Sequence, residues 1–193
     1  MEKKYDIFIY MKNFKWFSLR KSKGFTLIEL LIVIALLGAL AVGLLAALDP
    51  FEQLKKGTDT GVRNTVSEVQ GAIFRYYAIK SQMPWCANDT CSTLEAGFTT
   101  DAPVLLSNNT ATLQKIINTG ELKTDFATLA GTVTLGKITL FGNNTAGTIQ
   151  VCYKPTAKSF VADPNTKFNA TTGASTCVAD PNPAVNTCLW CVK

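Results

Sequence analysis

One apolar run constrains this chain more than any other feature of its sequence. Residues 25–48 read FTLIELLIVIALLGALAVGLLAAL, and Glu29 is the only charged side chain among these 24 residues. A helix crosses a bilayer with about 20 apolar residues, so the run is long enough to span a membrane. A carboxylate inside such a helix costs about 3 kcal/mol on insertion scales and is rare without a use. We therefore expect a membrane helix in which Glu29 has a function.

Three interpretations of the run compete. In the first, it is a cleaved signal peptide with residues 25–38 as its apolar core and ALA at 39–41 as the cleavage site. In the second, it is a plain single-pass anchor. In the third, it is a segment that is cut after Gly24 and retained. The first two gain nothing from Glu29. A cut before Phe25 creates an α-amino group that is largely protonated at neutral pH, one helical turn from Glu29. The third interpretation is therefore favoured, with the carboxylate neutralising the amine of its own or a neighbouring subunit.

The net positive charge of the chain has a single location. Residues 1–24 carry seven Lys or Arg and two Asp or Glu, whereas residues 25–193 carry twelve of each. All of the net charge of +5 therefore precedes the apolar run, on the side that remains in the cytoplasm. No basic excess is left for a nucleic-acid partner. Translation of the basic segment starts at Met1 or at Met11.

The segment KGFTLIELLIVIALLGAL, residues 23–40, resembles the class III signal of type IV pilins and pseudopilins. In that family a prepilin peptidase cuts between Gly and Phe, the new terminal Phe is N-methylated, and the fifth mature residue is Glu. The resemblance implies cleavage between Gly24 and Phe25, N-methylation of Phe25 and an assembly role for Glu29. The leader is longer than many in the family.

The resemblance and the residue pattern together imply an α+β fold, with a long amino-terminal helix packed against a small carboxyl-terminal antiparallel sheet. The expected segments are a cleaved leader (1–24), a transmembrane and filament-core helix (25–48), an amphipathic helix entering the head (49–80) and a globular head (81–193). The implied partners are other pilin subunits in a homo-oligomeric filament, prepilin peptidase and the cytoplasmic membrane. The head is expected outside the cytoplasm, first membrane-bound and then in an extracellular pilus or pseudopilus.

Small residues recur at every fourth position of the apolar run. They form one face along which helices approach closely in lipid, or they reflect the general abundance of Ala and Gly in membrane helices. Gly38 and Gly43 weaken the helix locally, and the resemblance makes them candidates for a region that stretches in the filament. The face consists of Ala35, Ala39, Gly43 and Ala47.

A second helical period follows Asp49-Pro50. Either Pro50 kinks one helix running from about residue 25 to 80, or Asp49 caps a second helix with Pro50 in its first turn. We expect the single helix, about 84 Å long, with Glu52–Lys56 and Asp59–Arg63 pairs at i, i+4. Its apolar stripe, which the head must cover, is Phe51, Leu54, Val62, Val66, Val69, Ile73 and Tyr76.

The remaining residues predict short strands and one short helix. ATLQKIINTG, residues 111–120, is amphipathic and ends at a glycine. The first two strands are joined by GNNTAG, a turn of hairpin type. The four predicted strands are residues 137–142, 148–155, 158–163 and 188–192.

The segment VADPN occurs twice, at residues 161–165 and 178–182. Asp-Pro-Asn suits a type I turn with Pro in second position, and clustered Asp and Asn oxygens also suit calcium, which some pseudopilins hold in a carboxyl-terminal loop. Turns are preferred because neither copy supplies enough carboxylates, so no metal or cofactor is predicted. Four N-x-[ST] sequences are interpreted as exposed polar loops, at Asn88, Asn108, Asn143 and Asn169.

Six cysteines all lie beyond residue 85, in the part expected to be exported, which indicates disulfides. Cys188 and Cys191 form a C-x-x-C sequence, as in redox centres or half of a zinc site. Zinc needs a second matched pair, and a redox C-x-x-C usually opens a helix. The preferred pairs close local loops or join candidate strands: Cys86–Cys91, Cys177–Cys188 and Cys152–Cys191.

An enzyme is the function class that the sequence favours least. The chain has no histidine, which removes the commonest general base, and it has no nucleophile elbow or phosphate loop. The DTG at 59–61 occurs once, whereas aspartic-protease chemistry needs two such carboxylates. No catalytic residue is predicted. Two functions remain: a pilus or pseudopilus subunit, whether major pilin, minor pilin or pseudopilin, and a membrane-anchored extracytoplasmic binding or thiol-redox module in which Cys188 and Cys191 cycle.

Overall fold

The computed structural model describes residues 24–192, in two units divided between Leu48 and Asp49. The first unit contains helix α1, Leu27–Ala47, with a mean hydropathy of 2.9. Every side chain of α1 is exposed. By length and composition this helix is able to cross a membrane. The leader expected at residues 1–24 lies outside the described residues except for Gly24.

The second unit begins with helix α2, Pro50–Lys80, so the single helix expected over residues 25–80 is wrong. Leu48 leaves the helical conformation, with φ −100° and ψ 131°. The carboxylate of Asp49 then accepts a hydrogen bond from the Glu52 amide at 3.3 Å, as an N-cap does. Proline costs a hydrogen bond inside a helix but none at its first position. The alternative, in which Asp49 caps a second helix, is therefore confirmed.

Within residues 24–192, five strands form one antiparallel sheet in the order β1-β2-β3-β5-β4. The hairpin of β2 and β3 and the last strand, β5, confirm three of the four predicted strands. Gly147 in the hairpin turn has φ +62°, which favours glycine. The strands are β1 (Val104–Leu105), β2 (Ile138–Asn143), β3 (Thr148–Tyr153), β4 (Thr166–Asn169) and β5 (Cys188–Val192).

The strand predicted at residues 158–163 is wrong, because this segment begins with a short helix, α6, and β4 follows it. The Lys158 amide donates to a carboxylate oxygen of Glu52 on α2 at 3.1 Å. Val161 is buried at the other end of α6. A short apolar segment does not distinguish strand from helix by periodicity, and a tertiary contact decides it here. α6 is Lys158–Val161.

The other short helices lie between α2 and β2. α3 confirms the amphipathic helix predicted at residues 111–120: it buries Leu113 and Ile116, and Gly120 follows it with φ +83°. The set comprises a 3-10 helix (Leu106–Asn108), α3 (Thr110–Asn118), α4 (Phe126–Ala130) and α5 (Thr132–Leu135).

The core lies between α2 and the sheet. The predicted stripe is buried from Val62 to Tyr76, where α2 packs on β3. Phe51 and Leu54, predicted on the same stripe, are instead 72% and 69% exposed. Within the described residues, the head does not cover these two side chains, although Glu52 in the same turns contacts α6.

The i, i+4 pair expected between Asp59 and Arg63 is absent. Asp59 is 2% exposed, and its carboxylate accepts hydrogen bonds from the Thr156 amide, the Thr156 hydroxyl and the Ala157 amide, each at 2.8 Å. Such charge-assisted hydrogen bonds are about twice as strong as neutral ones. Asp59, in the discarded DTG, therefore fastens the loop of residues 155–157 to α2.

Arg63 and Glu52 likewise pair outside the predicted spacing. Arg63 forms an ion pair with Asp163 at 3.3 Å, and its guanidinium lies 4.2 Å from the ring centre of Trp190. Glu52 pairs with Lys55 at 3.5 Å rather than with Lys56. The expected Asp59–Arg63 pair is wrong because both side chains contact folded segments distant in sequence, and the expected Glu52–Lys56 pair is wrong because Glu52 pairs at i, i+3.

The first VADPN copy forms the predicted turn. Thr166 donates its amide to the Asp163 carbonyl at 2.8 Å, and Asn165 donates its amide to the Asp163 carboxylate at the same distance. In the second copy, the Asn182 amide donates to the Asp180 carboxylate at 2.8 Å. Pro183 has no amide hydrogen, so the closing bond of the first turn has no equivalent there.

Candidate functional site

The junction between Gly24 and Phe25 lies outside regular structure, immediately before α1. Phe25 is 82% exposed, and a Cβ placed on Gly24 would meet no atom within 4 Å. A protease requires an accessible, non-helical peptide bond, because helix hydrogen bonds and packing otherwise shield the backbone. The geometry of this junction is thus compatible with cleavage.

Thr26 and Glu29 form a reciprocal capping box at the start of α1. Glu29 donates its amide to the Thr26 hydroxyl oxygen at 3.3 Å. The Glu29 carboxylate oxygen Oε2 accepts from both the amide and the hydroxyl of Thr26, each at 2.8 Å. Thr26 is not among the predicted site residues, although the T-x-x-E spacing is the signature of such a box.

The capping box leaves part of the Glu29 carboxylate available. Within residues 24–192, Oε1 has no hydrogen-bond partner, and the side chain is exposed. A cut before Phe25 would place an ammonium group one residue from Thr26. The box therefore fixes the direction of the carboxylate, while Oε1 remains free to accept from an amine of the same or another chain.

The small-residue face of α1 is uncovered. Ala35, Ala39, Gly43 and Ala47 are all exposed, and a Cβ on Gly38 or Gly43 would meet no atom within 4 Å. Both glycines are helical. The geometry permits close approach of another helix along this face.

Three disulfides join Cys86 to Cys91, Cys152 to Cys191 and Cys177 to Cys188. These are the three pairs preferred from the sequence. Cys188 and Cys191 thus have different partners, so they are neither a dithiol nor a disulfide with each other. The alternative in which they cycle as a C-x-x-C redox centre is contradicted, because Cys188 and Cys191 are bonded to cysteines in other segments.

The described residues contain no group of three or more His, Cys, Asp or Glu side chains arranged to hold a metal ion. Of the N-x-[ST] asparagines, Asn88 is exposed in a loop as expected, whereas Asn108 is exposed but is the last residue of the 3-10 helix. Asn143 and Asn169 are half-buried at the ends of β2 and β4, so the expectation of exposed loops is wrong for these two.

Comparison with known proteins identifies one feature. The family model of the prokaryotic N-terminal methylation motif matches residues 19–45. The match contains the Gly24–Phe25 junction, the capping box and most of α1. The motif is that of type IV pilin-like and pseudopilin substrates of prepilin peptidase. No curated protein and no solved structure matches the chain.

Proposed function

We propose that this chain is a structural subunit of a type IV pilus or a related pseudopilus. A prepilin peptidase cuts it between Gly24 and Phe25, Phe25 is N-methylated, and α1 forms the filament core. The observation that carries the proposal is the methylation motif at residues 19–45, in which Glu29 is the one charged residue of a membrane-length helix. The partners are further subunits, the peptidase and the cytoplasmic membrane, and the head is exposed on the assembled filament.

The role proposed for Glu29 follows from the cost of a charge in an apolar core. Two opposite charges taken out of water repay their desolvation only in good geometry with further hydrogen bonds. The capping box supplies such geometry on one side, with Oε2 engaged and Oε1 open. The protonated amine of Phe25 is the complementary charge, and it exists only after cleavage. Assembly would therefore depend on processing.

The intact mass of the mature protein tests processing. In cells with a prepilin peptidase, we expect a chain that begins at Phe25 and carries one additional methyl group. In cells that lack the peptidase, the basic leader should remain. A mature chain that is uncut, or that begins after Ala41, would contradict the proposal and favour a membrane-anchored binding module.

Paired substitutions separate the charge of Glu29 from its capping role. Glu29→Gln retains a side chain that closes a capping box but removes the charge, and it should abolish most filaments. Thr26→Ala removes the cap, which costs about 1 kcal/mol, and retains the charge, so filaments should persist in reduced number. Counting filaments by electron microscopy at equal subunit levels distinguishes the two. Normal filaments with Glu29→Gln would rule out the charge-pair role.

A further inference from the structure

We propose that the head carries a surface for anionic phospholipid headgroups at the start of α2. The juxtamembrane surface consists of Phe51, Leu54, Lys55, Lys154 and Lys158. The proposal rests on the proposed function, because it concerns the subunit while α1 spans the membrane before assembly.

The apolar part of the juxtamembrane surface is the uncovered end of the core-facing stripe of α2. Phe51 and Leu54 lie about one helical turn apart and are 72% and 69% exposed. Phe51 and Lys55 are four residues apart and thus neighbours on one helix face. Aromatic and apolar side chains beside lysines are typical of segments that lie in the membrane interface. These two side chains therefore have the chemistry of an interfacial anchor.

The charged part surrounds a groove of ≈ 470 Å³ lined by Lys55, Lys154 and Lys158. All three lysines are exposed. Of the carboxylates close by in the chain, Asp59 is buried and fully engaged with the loop of residues 155–157. Glu52, 13% exposed, accepts from the Lys158 amide and forms an ion pair with Lys55 at 3.5 Å, and Asp49 is exposed at the N-cap of α2. Within the described residues, Lys154 and Lys158 have no carboxylate partner. The groove therefore presents ammonium groups to solvent and suits an anion.

The position of this surface in the chain selects the anion. Only Leu48 and Asp49 separate α1 from α2, and one extended residue covers at most about 3.6 Å. When α1 spans the bilayer, the connection is therefore too short to carry Phe51 far from the membrane surface, whatever angle the two units adopt. Phospholipid headgroups lie at that surface, and where they include anionic lipids each nearby lysine gains from the negative surface potential.

Lipid bound to the juxtamembrane surface would affect the step in which the subunit leaves the membrane for the filament. Lipid contacts of the juxtamembrane surface would orient the head before assembly and would have to break as the subunit is extracted. A membrane rich in anionic lipid would therefore retain the unassembled subunit more strongly.

Lysine footprinting tests the proposal on the full chain. The chain is reconstituted in vesicles of phosphatidylcholine alone or of phosphatidylcholine with phosphatidylglycerol, acetylated briefly, and read by peptide mass spectrometry. We expect Lys55, Lys154 and Lys158 to react about five-fold more slowly in the anionic vesicles, and high salt to restore their reactivity. Lys123 and Lys137, exposed lysines elsewhere on the head, are internal controls that should react equally in both.

Two substitution pairs test the apolar part. Phe51→Ser with Leu54→Ser should remove most of the protection, whereas Leu129→Ser with Val133→Ser, at equally exposed apolar positions of α4 and α5, should not. Equal reactivity in both vesicle types would overturn the proposal. Protection that follows the protein-to-lipid ratio instead of lipid charge would identify a second copy as the occupant and would also overturn it. A chain that does not float with vesicles at all would overturn the membrane stage of the proposed function, and this inference with it.

Discussion

Gly142 illustrates how one backbone position supports the head. It lies in β2 beside Trp85 and Phe98, whose rings are stacked with centroids 4.6 Å apart. A Cβ at this position would lie 2.5 Å from the indole of Trp85 and 3.0 Å from the ring of Phe98. The indole N–H of Trp85 also donates to the Asn144 side chain in the hairpin turn. Glycine thus allows the segment after α2 to pack directly on the sheet.

We predict that Gly142→Ala destabilises the head. The added methyl group must displace a fully buried indole, and such overpacking costs about 1–3 kcal/mol. Urea unfolding of the full chain in detergent, followed by tryptophan fluorescence, measures the loss. Gly57→Ala is the control: it lies on α2 with no atom within 4 Å of the added Cβ and should stabilise by up to about 1 kcal/mol. Equal stability of the two variants would contradict this account.

Tyr153 carries a buried hydroxyl that has no hydrogen-bond partner within residues 24–192. Burial, with Asp59 and Asp163 as further causes, raises the pKa of Tyr153 above its ordinary value, while Arg63 acts in the opposite direction. The unfolded chain loses this proton near pH 10, whereas the folded chain retains it. The stabilising contribution is therefore complete below about pH 10 and decreases above it, by up to about 1.4 kcal/mol per pH unit.

Tyr153→Phe should remove that alkaline loss and cost little at neutral pH, because it deletes a hydroxyl without a partner. The measurement is the free energy of unfolding at neutral pH and at several values above pH 10. Tyr77→Phe, at a position 46% exposed, is the matched control and should leave the alkaline slope unchanged. A large loss of stability at neutral pH would indicate a hydrogen bond to this hydroxyl.

At the scale of elements, β5 holds the sheet together both covalently and by pairing. It lies between β3 and β4, and Cys191 is directly opposite Cys152 on β3. Its first residue, Cys188, bonds to Cys177. The disulfide between Cys152 and Cys191 spans 39 residues, and that between Cys86 and Cys91 spans 5.

A disulfide that closes a longer loop removes more entropy from the unfolded chain. Cys152→Ala with Cys191→Ala should therefore cost about 4 kcal/mol, and Cys86→Ala with Cys91→Ala about 2 kcal/mol. Urea midpoints of the two double variants, compared with the unsubstituted chain, measure the difference. The reverse order of stability would show that local packing around Cys86 outweighs loop closure.

Elements defined by local pattern were predictable, and those defined by distant contacts were not. The hairpin and α3 follow from alternation, amphipathicity and glycine signals within about ten residues. The strand prediction fails at α6 because a distant contact decides its structure: Glu52, 106 positions away in sequence, accepts a hydrogen bond from the first amide of α6. Asp59 was assigned to an exposed pair because its partners, Thr156 and Ala157, lie almost 100 residues away.

The candidate site was more predictable than the head because its information is local. Glu29 follows from one charge in an apolar run, and T-x-x-E encodes the capping box that was missed. The exposure of Phe51 and Leu54 was not predictable, because periodicity identifies an apolar stripe but not where the covering domain ends.

At the scale of the whole molecule, the two units differ in whether they bury their own apolar residues. α1 has no buried residue and requires lipid or other helices around it. The second unit, α2 together with the head, contains its own core, in which Val66, Val69 and Ile73 of α2 are fully buried with the sheet residues Ile138 and Val151. In the proposed function, this division lets one chain present a folded head on either a membrane or a filament.

The head should therefore fold without α1, provided that α2 is retained. We predict that residues 49–193, exported to an oxidising compartment, form a soluble monomer with the three disulfides and an unfolding midpoint close to that of the full chain in detergent. A chain of residues 81–193 is the control: it lacks one wall of the core, exposes the apolar face of the sheet and should aggregate or remain unfolded. Circular dichroism and size-exclusion chromatography, with mass spectrometry of the disulfides, distinguish these outcomes. Failure of residues 49–193 to fold, while the full chain is folded in detergent, would mean that α1 contributes to the stability of the head.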